Sequence, residues 1–300
     1  MATKKVLITG ASGLLGRALF EVFSACPQWE VLGLAFRRTK GNLRKVDLTD
    51  RDEVSSVINS FKPDIVIHSA AERNVDKIEN EPVGTKALNI TATQVICEES
   101  KKIGAWVLFI SSVYVFDGKN PPYSIDAECN PLNSYGLSKR EGEIITLGVD
   151  PNNGVLRIPL LFNKVEYLGE SSLTVLFEKV KDTSKQCVMS SYEQRFPIHC
   201  KDIAMTCKQI VERQLQNKDM CGYFHWNGNE QVTKYDIAIM MAEIFGISTD
   251  HIQANPIPST SASRPHKPCV DCSRLQAMNI GVRTPLREGI KEVLEPWMDK

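Results

Sequence analysis

The sequence has no excess of charge of either sign and no long apolar run. Lys plus Arg number 36 and Asp plus Glu number 36, so the formal net charge is zero. Without a positive field, we expect no binding to nucleic acid or to an anionic membrane surface. The apolar runs are a few residues long, whereas a membrane-spanning helix needs roughly 20 residues. The first residues also lack the pattern of a signal peptide, so we expect a soluble, intracellular protein.

The cysteines do not form a disulfide framework. There are nine, an odd number, scattered from Cys26 to Cys272. A reducing compartment would keep them as thiols, so we expect a cytoplasmic protein, with the nucleus as the alternative. Cys269, Cys272 and the nearby His266 are too few for a closed zinc site, which needs four ligands. We expect no metal.

Short aliphatic runs alternate with helix-length segments over the first 160 residues. Continuous apolar strands without a polar face are typical of a parallel sheet covered by helices on both sides. We therefore predict an α/β fold, a Rossmann-type doubly wound parallel sheet. The predicted strands cover 6–8, 31–36, 65–68, 106–110 and 155–158, and the predicted helices cover 14–25, 51–61, 83–103 and 134–147.

After residue 160 the alternation is less regular. Helices are predicted at 202–214 and 233–245 and a strand at 222–226, while four prolines make 255–268 a predicted mobile surface loop. We expect a cofactor-binding Rossmann domain over 1–160. A smaller C-terminal region of the substrate-binding type is expected over 161–300, with segments that return to the Rossmann sheet.

A glycine-rich turn follows the first predicted strand. Gly10, Gly13 and Gly16 are spaced GxxGxxG between that strand and a helix. A backbone without side chains can approach a pyrophosphate, and a helix N-terminus offers free N–H groups and the positive end of a dipole. We interpret the turn as the phosphate site of a dinucleotide. The alternative is a tight turn that only joins strand and helix.

The second predicted strand ends at Phe36, Arg37 and Arg38, where a dinucleotide fold places the group that meets the adenosine ribose. An acidic residue there would select NAD. The planar forks of two arginines suit a 2′-phosphate instead, so we predict NADP(H). A solvated basic turn is the alternative. Asp47 and Leu48, which would close a further short strand between the predicted strands at 31–36 and 65–68, are candidates to bracket the adenine ring.

Ser112, Tyr135 and Lys139 are the candidate catalytic residues. The YxxxK spacing puts phenol and ammonium on one face of a helix, and Ser112 ends a predicted strand. A cationic Lys139 would lower the phenol pKa of Tyr135, which then exchanges a proton with a carbonyl whose oxygen Ser112 aligns. Two alternatives stay open: a plain surface helix, and a vestigial site that binds cofactor without turnover.

These segments together resemble the extended short-chain dehydrogenase/reductase superfamily over nearly the whole chain. The resemblance lies in the turn at 9–16, the stretch at 68–71, Ser111 with Ser112, and the Tyr135–Lys139 pair. More narrowly, the stretches 113–118 and 121–123 resemble the dTDP-4-dehydrorhamnose reductase branch, as do Arg157 and Arg264. Most similar is the family of methionine adenosyltransferase regulatory β subunits, at 71–73, 194–197, 224–226, 228–231 and 233–235.

The last resemblance implies a non-catalytic regulatory subunit that binds NADP and modulates a separate methionine adenosyltransferase catalytic subunit in a hetero-oligomer. Such a complex catalyses S-adenosylmethionine biosynthesis, which belongs to one-carbon metabolism. In agreement with this, the chain has no P-loop motif. The reductase branch implies an alternative, an NADPH-dependent reductase of a 4-keto nucleotide sugar. Val113 stands where that branch commonly has an acidic residue, which weakens the case for turnover.

The resemblance also implies a set of cofactor contacts by motif matching. Ser12, Gly13, Leu14 and Leu15 would line the pyrophosphate, and 36–38 with 47–48 would line the adenosine end. The pocket would be completed by Ser69, Arg73, Tyr135, Lys139 and Leu161.

Overall fold

The structure is a computed structural model that describes residues 3–80, 82–259 and 263–298. Its first half contains β1 (Lys4–Thr9), α1 (Leu14–Ser24), β2 (Trp29–Ala35), β3 (Arg44–Lys45), α2 (Arg51–Phe61), β4 (Ile65–His68), α3 (Val75–Asn80), α4 (Pro82–Lys86), α5 (Ala92–Lys102), β5 (Trp106–Ser112) and α6 (Ser134–Val149). Its second half contains β6 (Gly154–Ile158), β7 (Leu161–Phe162), α7 (Val175–Lys181), β8 (Cys187–Ser190), β9 (Ile198–His199), α8 (Cys200–Asn217), β10 (Gly222–His225), α9 (Lys234–Phe245), β11 (Ile252–Asn255), α10 (Ser273–Gln276) and α11 (Leu286–Leu294). A π-helical turn, Ala87–Thr91, joins α4 to α5, and 3₁₀ turns lie at Val113–Val115, Leu168–Glu170 and Glu295–Trp297.

Seven parallel strands form the central sheet, in the order β3-β2-β1-β4-β5-β6-β10. Strand order reverses between β1 and β4, and ligands of open α/β sheets bind beyond the carboxyl ends of the strands at such a point. Val6 and Ile8 pack on one face in a cluster with α1 and α8, and Leu7 packs on the other with α2 and α5. The sheet is thus covered on both faces, which confirms the predicted doubly wound fold.

The second half of the chain contributes to two different cores. β10 pairs with β6 in the main sheet, and α8 packs on α1. A separate hydrophobic cluster is built from α7, α9 and α11 against the β8–β11 pair. None of the described helices combines the length and the apolar character that a membrane span requires.

Two expectations about local structure need correction. The helix predicted over 83–103 is interrupted, because Ala87–Thr91 forms a π-helical turn between α4 and α5. The segment 255–268 is not a surface loop throughout: Asn255 ends β11, and Pro265 and Pro268 are buried. The N–H of Gln194 donates to the His266 carbonyl, which holds this part of the segment against the body of the protein. Residues 260–262 lie outside the described residues.

Candidate functional site

The glycine-rich turn joins the end of β1 to the start of α1. Gly10 has a φ of +67°, in the left-handed region, and a Cβ on it would lie 2.8 Å from the Cα of Ala70. A Cβ on Gly16 would lie 2.0 Å from the carbonyl oxygen of Gly10, so only glycine lets α1 pack on the turn. Gly13 is the N-cap of α1 and has no side chain to cover the first free N–H groups. The turn therefore exposes backbone donors at the carboxyl edge of the sheet.

Ser69 and Thr9 join the ends of β4 and β1 beside this turn. Ser69 Oγ donates to the Thr9 carbonyl at 2.6 Å, and the Ser69 N–H donates to Thr9 Oγ1 at 3.2 Å. Thr9 Oγ1 also lies 2.7 Å from Nδ1 of His68. Burial, and secondarily the charge of Lys139, lower the pKa of His68 to about 3, so the imidazole is neutral. These contacts place Ser69 at the point where strand order reverses.

Tyr135 and Lys139 lie on the first turns of α6, which Asn133 caps by accepting the Gly136 N–H at 2.9 Å. Lys139 is 4% exposed, and its Nζ lies 4.1 Å from the centre of the Phe109 ring. Its Nζ forms no hydrogen bond with any residue that the structure describes. Burial lowers the pKa of Lys139 to about 7, although the negative charge of Glu143 acts in the opposite direction.

The pKa of Tyr135 differs from the sequence-based expectation. Burial raises it, with the Ser112 side chain acting in the opposite direction. A cationic Lys139 was expected to lower this pKa, and that expectation is wrong for the chain alone. The physical reason is the burial of the phenol itself, which disfavours the charged phenolate.

A buried amine without an acceptor fits a ligand that supplies one. The ribose hydroxyls of a dinucleotide are acceptors of this kind, and the bare turn at Gly10 and Gly13 fits a pyrophosphate. Tyr135 lies close to this amine on the same helix and packs edge-on against Tyr114, with ring centres 5.9 Å apart. The residues present therefore fit a dinucleotide cofactor.

A cluster of charged side chains borders the turn, and only Arg38 and Arg73 of this cluster are among the cofactor residues predicted from the sequence. Glu170, whose side chain is 2% exposed, accepts hydrogen bonds from Arg17 through both oxygens, at 2.7 and 2.9 Å. Arg38 Nη1 donates to the same carboxylate at 2.7 Å, and Arg73 donates to the Glu170 carbonyl. Burial alone would raise the pKa of Glu170, but hydrogen bonds from Arg17, the Glu166 N–H and Arg38 lower it to about 2.

Sequence reasoning missed Arg17 and Glu170 for different reasons. Arg17 directly follows the glycine motif, so its position next to a phosphate site was available as a signal. Glu170 lies 132 positions after Arg38, in a segment without a recognisable motif. Only the folded chain brings that carboxylate to the two arginines.

The other predicted cofactor residues lie around the same edge of the sheet. Phe36 is 47% exposed and Arg37 is exposed, directly after β2. Asp47 accepts hydrogen bonds within a local turn just after β3, and Leu48 packs in the cluster that contains α2. Leu161 begins β7 and packs on the main cluster. Their predicted roles toward a cofactor stay predictions.

The cysteine pair near His266 has ordinary surroundings. Cys272 Sγ donates to Asn227 Oδ1 at 2.8 Å, and burial raises the pKa of both Cys269 and Cys272. Within the described residues, no three His, Cys, Asp or Glu side chains are grouped as metal ligands.

Comparison with known proteins finds a protein family that matches nearly the whole chain. Residues 4–298 match the family model described as RmlD substrate binding domain. Methionine adenosyltransferase 2 subunit beta of Bos taurus is 44% identical over 298 residues, covering 98% of this chain and 88% of the relative. The dTDP-4-dehydrorhamnose reductase of Aggregatibacter actinomycetemcomitans is 30% identical over 282 residues, covering 91% and 92%. A crystal structure of dTDP-4-dehydrorhamnose reductase from Bacillus anthracis in complex with NADP has a TM-score of 0.84 at 20% identity, covering 99% of each chain, and shows the shared fold.

Proposed function

Because the chain belongs to the RmlD substrate-binding family, we propose that it is an NADP-binding regulatory subunit of a methionine adenosyltransferase, without independent activity. The observation that carries this proposal is the 44% identity, over nearly the whole chain, to a protein named as the beta subunit of that enzyme. Its partner is then the catalytic subunit, in a hetero-oligomer. The pathway served is S-adenosylmethionine biosynthesis, within one-carbon metabolism.

The residues of the site support a cofactor role in specific ways. The N–H groups after Gly13 would hold the pyrophosphate, and the Arg38 guanidinium would hold the 2′-phosphate. The Lys139 amine would donate to a ribose hydroxyl of the cofactor and so gain the acceptor that the described residues do not provide. Bound acceptors favour the charged amine, so we expect cofactor binding to raise the pKa of Lys139 above its value of about 7.

A second candidate is an NADPH-dependent reductase of a 4-keto nucleotide sugar. It is favoured by the intact set of Ser112, Tyr135 and Lys139 and by the 30% identical reductase relative. In such a reaction Ser112 would align the carbonyl oxygen and the Tyr135 phenol would donate the proton, while a bound NADPH would be the source of the hydride. The raised pKa of Tyr135 keeps the phenol protonated and thus able to act as an acid.

Two parallel assays separate the candidates. In the first, the protein is mixed with a methionine adenosyltransferase catalytic subunit at micromolar concentration and analysed by gel filtration. We expect co-elution and altered kinetics of S-adenosylmethionine formation. In the second, NADPH loss is followed with a dTDP-4-keto-6-deoxy sugar, and we expect none. Separate elution, together with NADPH loss that Y135F abolishes, would instead establish the reductase.

We also propose that the protein works in the cytoplasm, with the nucleus as the alternative. All nine cysteines are free thiols, which suits a reducing compartment. Imaging of a tagged chain in cells, with a secretory marker as reference, tests this, and co-localisation with that marker would refute it.

A further inference from the structure

We propose that Glu170 is a positioning residue that makes the site specific for a 2′-phosphorylated cofactor, because it holds Arg38 by one nitrogen and leaves the rest of the guanidinium free for the phosphate. The inference rests on the proposed binding of NADP. It assigns a role to a residue far from every motif in the sequence.

The contacts of Arg38 show which part of its guanidinium is already used. Its Nη1 donates to Glu170 at 2.7 Å and to Glu166 at 3.3 Å. Its Nη2 and Nε form no hydrogen bond with the described residues. Bidentate recognition of a phosphate needs two N–H groups of one fork, so the pair that remains is enough. Glu170 thus orients Arg38 without consuming the donors that the phosphate requires.

Glu170 is itself held from several sides. Both of its oxygens accept from Arg17, and the Glu166 N–H donates to one of them at 3.0 Å. Arg17 also donates to the Ser12 carbonyl at 3.1 Å, which ties the carboxylate to the glycine-rich turn. A buried carboxylate with this many donors has little freedom to move. It therefore sets the distance between the pyrophosphate site and Arg38.

Glu166 is the natural comparison, because it contacts the same arginine. Its side chain is 39% exposed, and its carboxylate also forms an ion pair with Lys40, with Nζ 3.1 Å from Oε1. Solvent screens the attraction in an exposed ion pair of this kind, so Glu166 restrains Arg38 only weakly. We therefore assign the positioning of Arg38 to Glu170 and not to Glu166.

The charge of the cluster is compatible with a phosphate. Arg17 and Arg38 share one carboxylate, and Arg73 adds a third guanidinium at the Glu170 carbonyl. The three arginines outnumber the single buried carboxylate, so the cluster stays positive and attracts a dianion. The opposite possibility is that Glu170 competes with the phosphate for Arg38. The two possibilities predict changes of affinity in opposite directions.

The test measures dissociation constants for NADP and for NAD by calorimetry on the full chain. The variants are E170Q, R38Q, the double variant E170Q/R38Q, and E166Q as the matched control. We expect E170Q to lower the preference for NADP over NAD by about tenfold, since hydrogen bonds between charged groups have that order of strength. E166Q should change the preference by less than about threefold, as expected for an exposed pair. The double variant should show the preference of R38Q alone, because Glu170 acts through Arg38.

A loss of stability alone would lower the affinity for both cofactors and would not change their ratio. An unchanged ratio in E170Q, or tighter binding of NADP, would overturn the inference. If the wild-type chain binds neither cofactor, the proposed function fails first and the inference with it. If E170Q is unfolded at the assay temperature, E170D provides the same comparison. It keeps the charge but withdraws the carboxylate from Arg38, so the same direction is expected, and a wild-type ratio would again refute the role.

Discussion

At the scale of single residues, Lys139 has the least ordinary environment in the site. Its amine is buried over the ring of Phe109 and has no hydrogen-bond acceptor among the described residues. Burial disfavours the charged form and lowers the pKa from 10.5 to about 7. A protein that kept this arrangement without a ligand would lose stability for no structural benefit. The arrangement is explained if the amine serves a bound cofactor.

K139M should stabilise the chain near pH 7 and weaken its binding of NADP. Between pH 7 and 10.5 the unfolded chain binds a proton that the folded chain does not, so wild-type stability rises with pH across this window. K139M removes the titrating group and should remove that slope. Urea unfolding at several pH values in this window measures it. The exposed Lys45 provides the control K45M, which should keep the wild-type slope; an equal slope in K139M would contradict the prediction.

The hydrogen bonds of Glu170 should make the stability of the fold depend on pH in a second, acidic range. Its pKa in the folded chain, about 2, lies below its ordinary value of 4.5, so its stabilisation is complete above that value and is lost as the pH falls toward 2. We expect the gap in melting temperature between wild type and E170Q to be largest near neutral pH and to shrink below pH 4.5. Thermal unfolding between pH 7 and pH 3 measures this gap. A gap that stays constant over this range would show that the charge of Glu170 does not stabilise the fold.

At the scale of elements, the start of α1 depends on the absence of side chains. The Cβ of an alanine at position 16 would lie 2.0 Å from the Gly10 carbonyl oxygen and 2.7 Å from the Ala11 Cα. Both contacts are with backbone, which cannot move without displacing the turn. The element therefore depends on glycine for packing as well as for access to a ligand.

G16A should destabilise the fold by about 2 kcal/mol or more, as expected for a clash in a closely packed region. It should also weaken cofactor binding, because the turn must shift. Gly148 provides the matched control, since it lies in α6 and a Cβ there meets nothing within 4 Å. G148A should be neutral or stabilising by about 0.5 to 1 kcal/mol. Thermal unfolding and NADP titration measure both effects, and wild-type behaviour of G16A would refute the packing argument.

The π-helical turn Ala87–Thr91 shows what apolar periodicity does not reveal. Asn89, 2% exposed, accepts the Glu72 N–H at 2.8 Å and donates to the Glu72 carbonyl and to Ser138 Oγ. This amide joins the segment after β4 to α6, which carries Tyr135 and Lys139. The sequence predicted one continuous helix here because the contacts of Asn89 are tertiary.

At the scale of the whole molecule, the second half of the chain completes the first. β6 is flanked by β10, and Arg157 on β6 forms a buried ion pair with Glu143 at 2.8 Å. His225 on β10 lies 3.1 Å from the same guanidinium. α8 covers α1 on one face of the sheet. A boundary at residue 160 therefore separates parts that share one core.

A fragment of residues 1–160 should fail to fold cooperatively. It would expose the edge of β6, the apolar face of α1 and the Arg157 side chain, which the full chain buries. We expect no sharp thermal transition and weak near-ultraviolet circular dichroism, in contrast to the full chain. A cooperative transition at the wild-type temperature would mean that the first half is an independent domain.

Sequence patterns alone predict the doubly wound sheet, the glycine turn and the Tyr135–Lys139 pair. Each of these depends on local patterns: apolar runs, a spacing of three between glycines, and one helical turn between two side chains. The partners that surround these groups become visible only in the folded chain. The Glu170 carboxylate meets Arg17 and Arg38 across more than 130 positions, and burial sets the pKa of Lys139 and Tyr135. Such effects depend on what packs around a group, and a motif does not contain that information.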